Sequence, residues 1–79
     1  MKAYIDVTLK ESILDPQGAA VNEGLIKLGY DVEGVRIGKH IEVELNDMEI
    51  EKAETLIKKM CEKLLINPVI ETYTFRLEV

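Results

Sequence analysis

Tryptophan is absent, and three tyrosines and one phenylalanine bring aromatics to only 5% of the chain, so aliphatic side chains must fill whatever core forms. There is one cysteine, which excludes an internal disulfide. One histidine beside that cysteine leaves too few soft ligands for a dedicated metal site of the zinc type. No apolar run approaches the ~20 residues that a helical membrane span needs. Met1-Lys2 leads straight into patterned sequence with no apolar leader. The expectation is a soluble, cytoplasmic protein. Excess positive charge is missing as well: the net charge is −5, a poor match to the basic footprint that nucleic-acid binding requires.

What is present is ordinary for a folded domain, with 47% hydrophobic and 32% charged residues. A length of 79 residues predicts a single domain spanning 1–79. A domain this small buries only roughly 60% of the surface its unfolded chain exposes. Cores of this size commonly need a staple. With disulfide and metal set aside, self-association is the staple to expect.

Along the chain, Ala3, Ile5, Val7 and Leu9 alternate with Tyr4, Asp6, Thr8 and Lys10, the period of a strand with one buried face. Asp15-Pro16 opens a helix: Asp15 is placed to cap free N–H groups, and Pro16 suits the first helical position, where no donor is needed. Val21, Leu25 and Leu28 form its apolar stripe, and Gly29 is placed to end it in a left-handed turn. The stretch Val35 to Leu45 reads as two short strands folded on a Gly38-Lys39 turn. The first of these runs from Val32 to Ile37, interrupted by Gly34, and the second carries the clean alternation Ile41, Val43, Leu45. Asn46 to Glu49 has the form of a capping box. A second helix follows, with Ile50, Ala53, Leu56, Ile57, Met60, Cys61, Leu64 and Leu65 on one face, until Asn67-Pro68 stops it. Tyr73, Phe75, Leu77 and Val79 then alternate in a last strand.

The predicted order is β-α-β-β-α-β, an α+β fold of the two-layer ferredoxin-like type. It implies a four-stranded, mainly antiparallel sheet with two helices on one face. The apolar residues of the strongly patterned strands are all odd-numbered, which puts one sheet face under the helices and leaves the other polar. A long last strand at a sheet edge invites pairing with another chain, so a dimer that extends or stacks the sheets is expected.

No catalytic constellation is visible. His40 has no carboxylate and nucleophile arranged around it in sequence and reads as a solvated residue. Cys61 lies on an apolar helix face, where free cysteine behaves as a small hydrophobe. Lys10, Arg36 and Lys39 form either scattered surface charge or a small basic cluster for an acidic or phosphate partner. Gly34 and Gly38 do not make a phosphate loop, since no strand-to-helix turn contains them.

Several blocks together resemble the PurS family, the small subunit of phosphoribosylformylglycinamidine synthase. They are Val7-Thr8-Leu9-Lys10, Ile13-Leu14-Asp15-Pro16-Gln17-Gly18, Leu28-Gly29-Tyr30, Val35-Arg36-Ile37-Gly38-Lys39 and the run from Met60 to Glu71. The resemblance implies a non-catalytic subunit of a ligase complex in de novo purine synthesis. There a PurQ-like glutaminase releases ammonia, and a PurL-like synthetase uses ATP and magnesium to convert formylglycinamide ribonucleotide into its amidine. It implies a homodimer, or a tetramer, that bridges these partners and assists ammonia transfer. No cofactor and no catalytic residue are expected in this chain. Asp15, Pro16, Gln17, Gly18, Arg36, Gly38 and Lys39 are the candidate partner-contact residues; their alternative role is fold maintenance as cap, turn and bulge. Three competing readings share the topology: an autonomous enzyme on the same scaffold, which fold alone does not exclude, and two binding modules. One is an ACT-like regulatory dimer that binds a small molecule. The other is an RNA-binding module, disfavoured because Glu42 and Glu44 stand where base-stacking aromatics are needed.

Overall fold

The three alternating stretches become three strands, and the two amphipathic stretches become two helices. The structure, a computed structural model, describes all 79 residues. The elements are β1 (Lys2–Leu9), α1 (Pro16–Lys27), β2 (Gly38–Glu44), α2 (Ile50–Met60) and β3 (Glu71–Glu78), with a π-helical turn, Cys61–Leu65, continuing α2. Strand order is β2-β1-β3, and both pairings are antiparallel. The register sets Ile5 opposite Ile41 on one side and Phe75 on the other, and Ala3 opposite Val43 and Leu77. Odd-numbered residues thus share one apolar face, as their spacing requires. Onto this face α2 and its π-helical continuation place Ile57 and Cys61, fully buried in one cluster with Ala3, Ile5 and Val7, and Ala53 of α2 is fully buried as well.

The π-helical turn re-aims the end of α2. The Ile66 N–H reaches back five residues to the Cys61 carbonyl at 3.0 Å, so the chain gains an extra residue in its last turn. Ile66 becomes part of the core, while Leu64, placed by helical spacing on the apolar face, is left 83% exposed.

Four expectations are corrected. Val32 to Ile37 is not a strand, so the sheet has three strands rather than four. The reason lies in its backbone partners: the Ile37 N–H donates to the Asp15 carboxylate at 2.7 Å instead of entering a ladder. Gly38-Lys39 is accordingly no turn; both residues pair with β1, Gly38 with Thr8 and Lys39 with Val7. Nor do two helices cover the face. Only α2 contributes to the core, whereas Gly18 is the one buried residue of α1. The capping box is absent too: Glu49 occupies the cap of α2 with no side-chain hydrogen bond. The Asp15 cap, Pro16 at the first helical position and the left-handed Gly29 (φ 94°) are as expected.

The even-numbered face is uncovered and carries charge arranged by the register. His40 lies across from Asp6 and two residues from Glu42. Its Nδ1 stands 2.7 Å from Asp6 Oδ1 and its Nε2 3.0 Å from Glu42 Oε2. Hydrogen bonding to Asp6 first, then to Glu42, raises its pKa above the ordinary 6.5. Tyr4 lies beside it, with the Arg76 guanidinium 4.1 Å above its ring. A histidine that is solvated by sequence is therefore paired by register.

Two outcomes follow. Ile57→Ala removes a fully buried side chain and is expected to destabilise the fold by about 2–5 kcal/mol, read as a lower urea midpoint at unchanged slope. The raised pKa of His40 means that its paired form stabilises the folded state fully below pH 6.5, and that this contribution fades as pH rises through the higher folded value. The stability gap between the wild-type chain and His40→Asn is expected to shrink from pH 6 towards alkaline pH; a gap that widens contradicts the pairing.

Candidate partner-contact site

Asp15 lies at the root of α1 and does two things at once. As the N-cap, its Oδ1 accepts the Gly18 N–H at 2.9 Å, one of the donors that a helix start leaves without a partner. Its Oδ2 accepts the Ile37 N–H at 2.7 Å, which ties the segment returning from α1 to the same point. Asp15 is only 6% exposed, and these two hydrogen bonds, with Arg36 nearby, hold its carboxyl below the ordinary carboxylate value. Gly18 is required there: a Cβ would overlap the Val35 carbonyl oxygen and the Asp15 carboxylate itself.

Arg36 completes the knot. Its Nη2 donates to the carbonyls of Leu9 and Lys10, each at 3.0 Å, and its Nη1 to the carbonyl of Ile13 at 3.3 Å. The loop after β1 does meet Arg36, but the guanidinium serves that loop's own carbonyls. Lys39 is engaged elsewhere, 3.6 Å from the Glu71 carboxylate at the start of β3. Glu71 also accepts the Asn67 N–H at 2.7 Å. Gly38 is needed for close approach, since a Cβ would strike the Val7 carbonyl oxygen.

These pieces surround a cleft of about 420 Å³ at the end of the sheet that α2 leaves uncovered. Val7, Leu9 and Ile37 supply apolar walls, while Asp15, Pro16, Gln17, Gly38, Lys39 and Glu71 supply the remainder. Five of the seven residues singled out in the sequence therefore line one cavity. Gly18 lies buried behind it and Arg36 braces the loop beside it. Glu71 was not singled out as a site residue, and its distance in sequence from Lys39 hides the pairing. Pro16, Gln17, Gly38 and Lys39 are exposed and can meet another molecule; Asp15 and Gly18 act by holding them in place. No group of three or more His, Cys, Asp or Glu residues is arranged to hold a metal ion. The Cys61 thiol is buried under the sheet, and that burial pushes its pKa up, away from the reactive thiolate.

Asparagine at position 15 would offer one acceptor where the two N–H groups need two. Asp15→Asn is thus expected to lower the thermal midpoint at neutral pH. Because the folded pKa is depressed below 3.8, the wild-type advantage is present above that value and is lost as pH falls through the lower folded one. Thermal melts of both chains from pH 7 to pH 2 check this, and a gap that grows on acidification contradicts it.

Comparison with known proteins gives one consistent result. The family model described as PurS, phosphoribosylformylglycinamidine (FGAM) synthase, matches residues 2–79. The PurS subunit of the Bacillus subtilis enzyme is 48% identical, covering 98% of this chain and 92% of that protein. Among solved structures, Methanocaldococcus jannaschii PurS superimposes with a TM-score of 0.86 at 35% identity, covering 98% of this chain and 94% of that one. A chain of the Thermotoga maritima PurLQS structure superimposes with a TM-score of 0.87 at 39% identity, covering 95% and 93%. Matched from its second residue to its last and in three dimensions, the chain belongs to the PurS family of phosphoribosylformylglycinamidine synthase subunits.

Proposed function

We propose that the chain works as a homodimer that bridges a PurL-like synthetase subunit and a PurQ-like glutaminase subunit in the cytoplasm, and that it helps ammonia pass between them. The complex would convert formylglycinamide ribonucleotide to formylglycinamidine ribonucleotide at the expense of ATP and glutamine. ATP and magnesium belong to the synthetase partner in this reading, and the chain contributes no catalytic group. The observation that carries it is the full-length match to a subunit solved within PurLQS. The chemistry of the chain is compatible with it: the single thiol is buried, the single histidine is held between two carboxylates, and Asp15 in the wall of the cleft is engaged in holding backbone N–H groups.

Within this reading the exposed rim of the cleft, Pro16, Gln17, Gly38 and Lys39, is the surface that meets a partner subunit. Lys39 is the member whose charge can be read out, because its ion pair with Glu71 is half-exposed and leaves it able to exchange partners.

Reconstitution with purified PurL-like and PurQ-like subunits provides the test. Glutamine-dependent amidine formation is expected with all three chains and is expected to be lost when this chain is left out, while the chain alone shows none. Undiminished glutamine-dependent synthesis without it overturns the bridging role. Lys39→Glu is expected to weaken assembly about tenfold, on the order of 1.4 kcal/mol, measured as the concentration of this chain that half-restores activity. Unchanged half-restoration would remove the cleft rim from the contact surface.

A further inference from the structure

A second cavity, of about 440 Å³, lies between the loop after β1, the start of α1 and the segment that precedes β2. It shares only Asp15 with the cleft described above. Its walls are held from both sides. Arg36 gathers the carbonyls of Leu9, Lys10 and Ile13, and Asp15 ties the start of α1 to Ile37. The cavity is therefore formed before anything enters it, so an incoming group does not have to order its walls. Ile13, Leu14, Ala19 and Val35 supply apolar surface, and Leu14 is left 78% exposed.

The polar part of the lining has one character. Arg36 is its only cation, and that guanidinium is turned onto the loop carbonyls. Asp15 has its two oxygens on the Gly18 and Ile37 N–H groups. The groups left over are the Glu11 carboxylate, the Ser12 hydroxyl and the Asn22 amide oxygen, and each of them accepts hydrogen bonds. Glu11 is exposed and stands outside every ion pair of the chain. Asn22 is the sharper case. Its Oδ1 is closed to solvent and accepts no hydrogen bond, a cost that few native acceptors bear. The residue as a whole is half-buried, and the last torsion of an asparagine is soft. A small turn of the amide thus brings Oδ1 to a donor that enters the cavity. Two carboxylates against one guanidinium leave the lining with an excess of negative charge, in a chain whose net charge is −5.

We propose that this cavity receives a basic side chain, lysine or arginine, from a partner subunit. This rests on the bridging role proposed above and names the chemistry of one contact within it. The stem of the side chain lies along Ile13, Leu14 and Val35, as such stems do on apolar surface. Its cationic N–H groups reach the Glu11 carboxylate and Asn22 Oδ1. A free ammonium ion would satisfy the acceptors but leave the apolar walls uncovered. A cation held in this way sets the register in which two subunits dock.

The test uses the full chain with purified PurL-like and PurQ-like subunits. Glu11→Lys is expected to raise the concentration of this chain that half-restores glutamine-dependent synthesis by about tenfold, with the loss deepest at low salt. Glu54→Lys, the same charge reversal on α2, is expected to leave that concentration unchanged. Asn22→Leu removes the acceptor at similar volume. It is expected to weaken assembly severalfold while the melting midpoint of the isolated chain stays at or above the wild-type value, because the unpaired oxygen is gone. An asparagine that only holds the fold gives the reverse, a lower midpoint with assembly of the folded chain unchanged. Sedimentation of both variants is expected to match that of the wild-type chain. Synthesis that needs no copy of this chain overturns the bridging role, and the contact with it. Synthesis that needs the chain but tolerates either Glu11→Lys or Asn22→Leu, or responds as strongly to Glu54→Lys, overturns the contact alone. So does a lowered midpoint for Asn22→Leu, or altered sedimentation of either variant.

Discussion

One carboxylate organises the molecule. Asp15 accepts the N–H that starts α1 and the N–H that precedes β2, and it does so from a buried position. Both ends of the excursion between β1 and β2 are thereby pinned at a single point. Gly18 has to be glycine because the Val35 carbonyl and that carboxylate occupy the space of a side chain. Arg36 adds a second constraint by gathering three carbonyls of the loop after β1. With its root held so firmly, α1 has a defined direction even though its apolar stripe touches little of its own chain. The same knot forms one wall of the cleft, so the scaffold and the candidate contact surface have a common origin.

Much of this was legible in the residues. The alternations in β1, β2 and β3 are strict, and one face of each is apolar because the register keeps odd numbers together. Asp15-Pro16 announces a helix start by composition alone, and Gly29 its end. The failure at Val32 to Ile37 is instructive. Its apolar residues, Val32, Val35 and Ile37, do not keep a period of two, and its one decisive backbone donor is captured by a side chain 22 residues earlier in the chain. Strand propensity is blind to such a capture. The Gly38-Lys39 pair looked like a turn because glycine usually means one; here glycine is needed for close backbone approach within a strand.

The candidate contact site was legible in part for a similar reason. Residues near one another in sequence, such as Asp15 to Gly18, were found together because local chemistry singles them out. The partner of Lys39, Glu71, comes from the other end of the chain, and only the antiparallel pairings of β1 bring the two together. The pairing of His40 with Asp6 depends on the same register. The detached position of α1 could not be read at all. An amphipathic stripe states that a face will be covered and is silent on which chain covers it. Likewise the extra residue of the π-helical turn, which moves Leu64 out and Ile66 in, leaves no mark in a pattern of threes and fours.

The central place of β1 has a bearing on biosynthesis. It precedes both of its neighbours in the chain, and one of them is β3, so that Lys2 finds Glu78 only after everything between them has been made. At translation speeds of about 5–20 residues per second, the nascent chain carries Ala3, Ile5 and Val7 without their final cover for on the order of ten seconds. Pairings between such distant parts of a chain also close slowly. Until β2, α2 and β3 follow, that apolar strand face and its two unpaired edges are the part of the chain most open to aggregation.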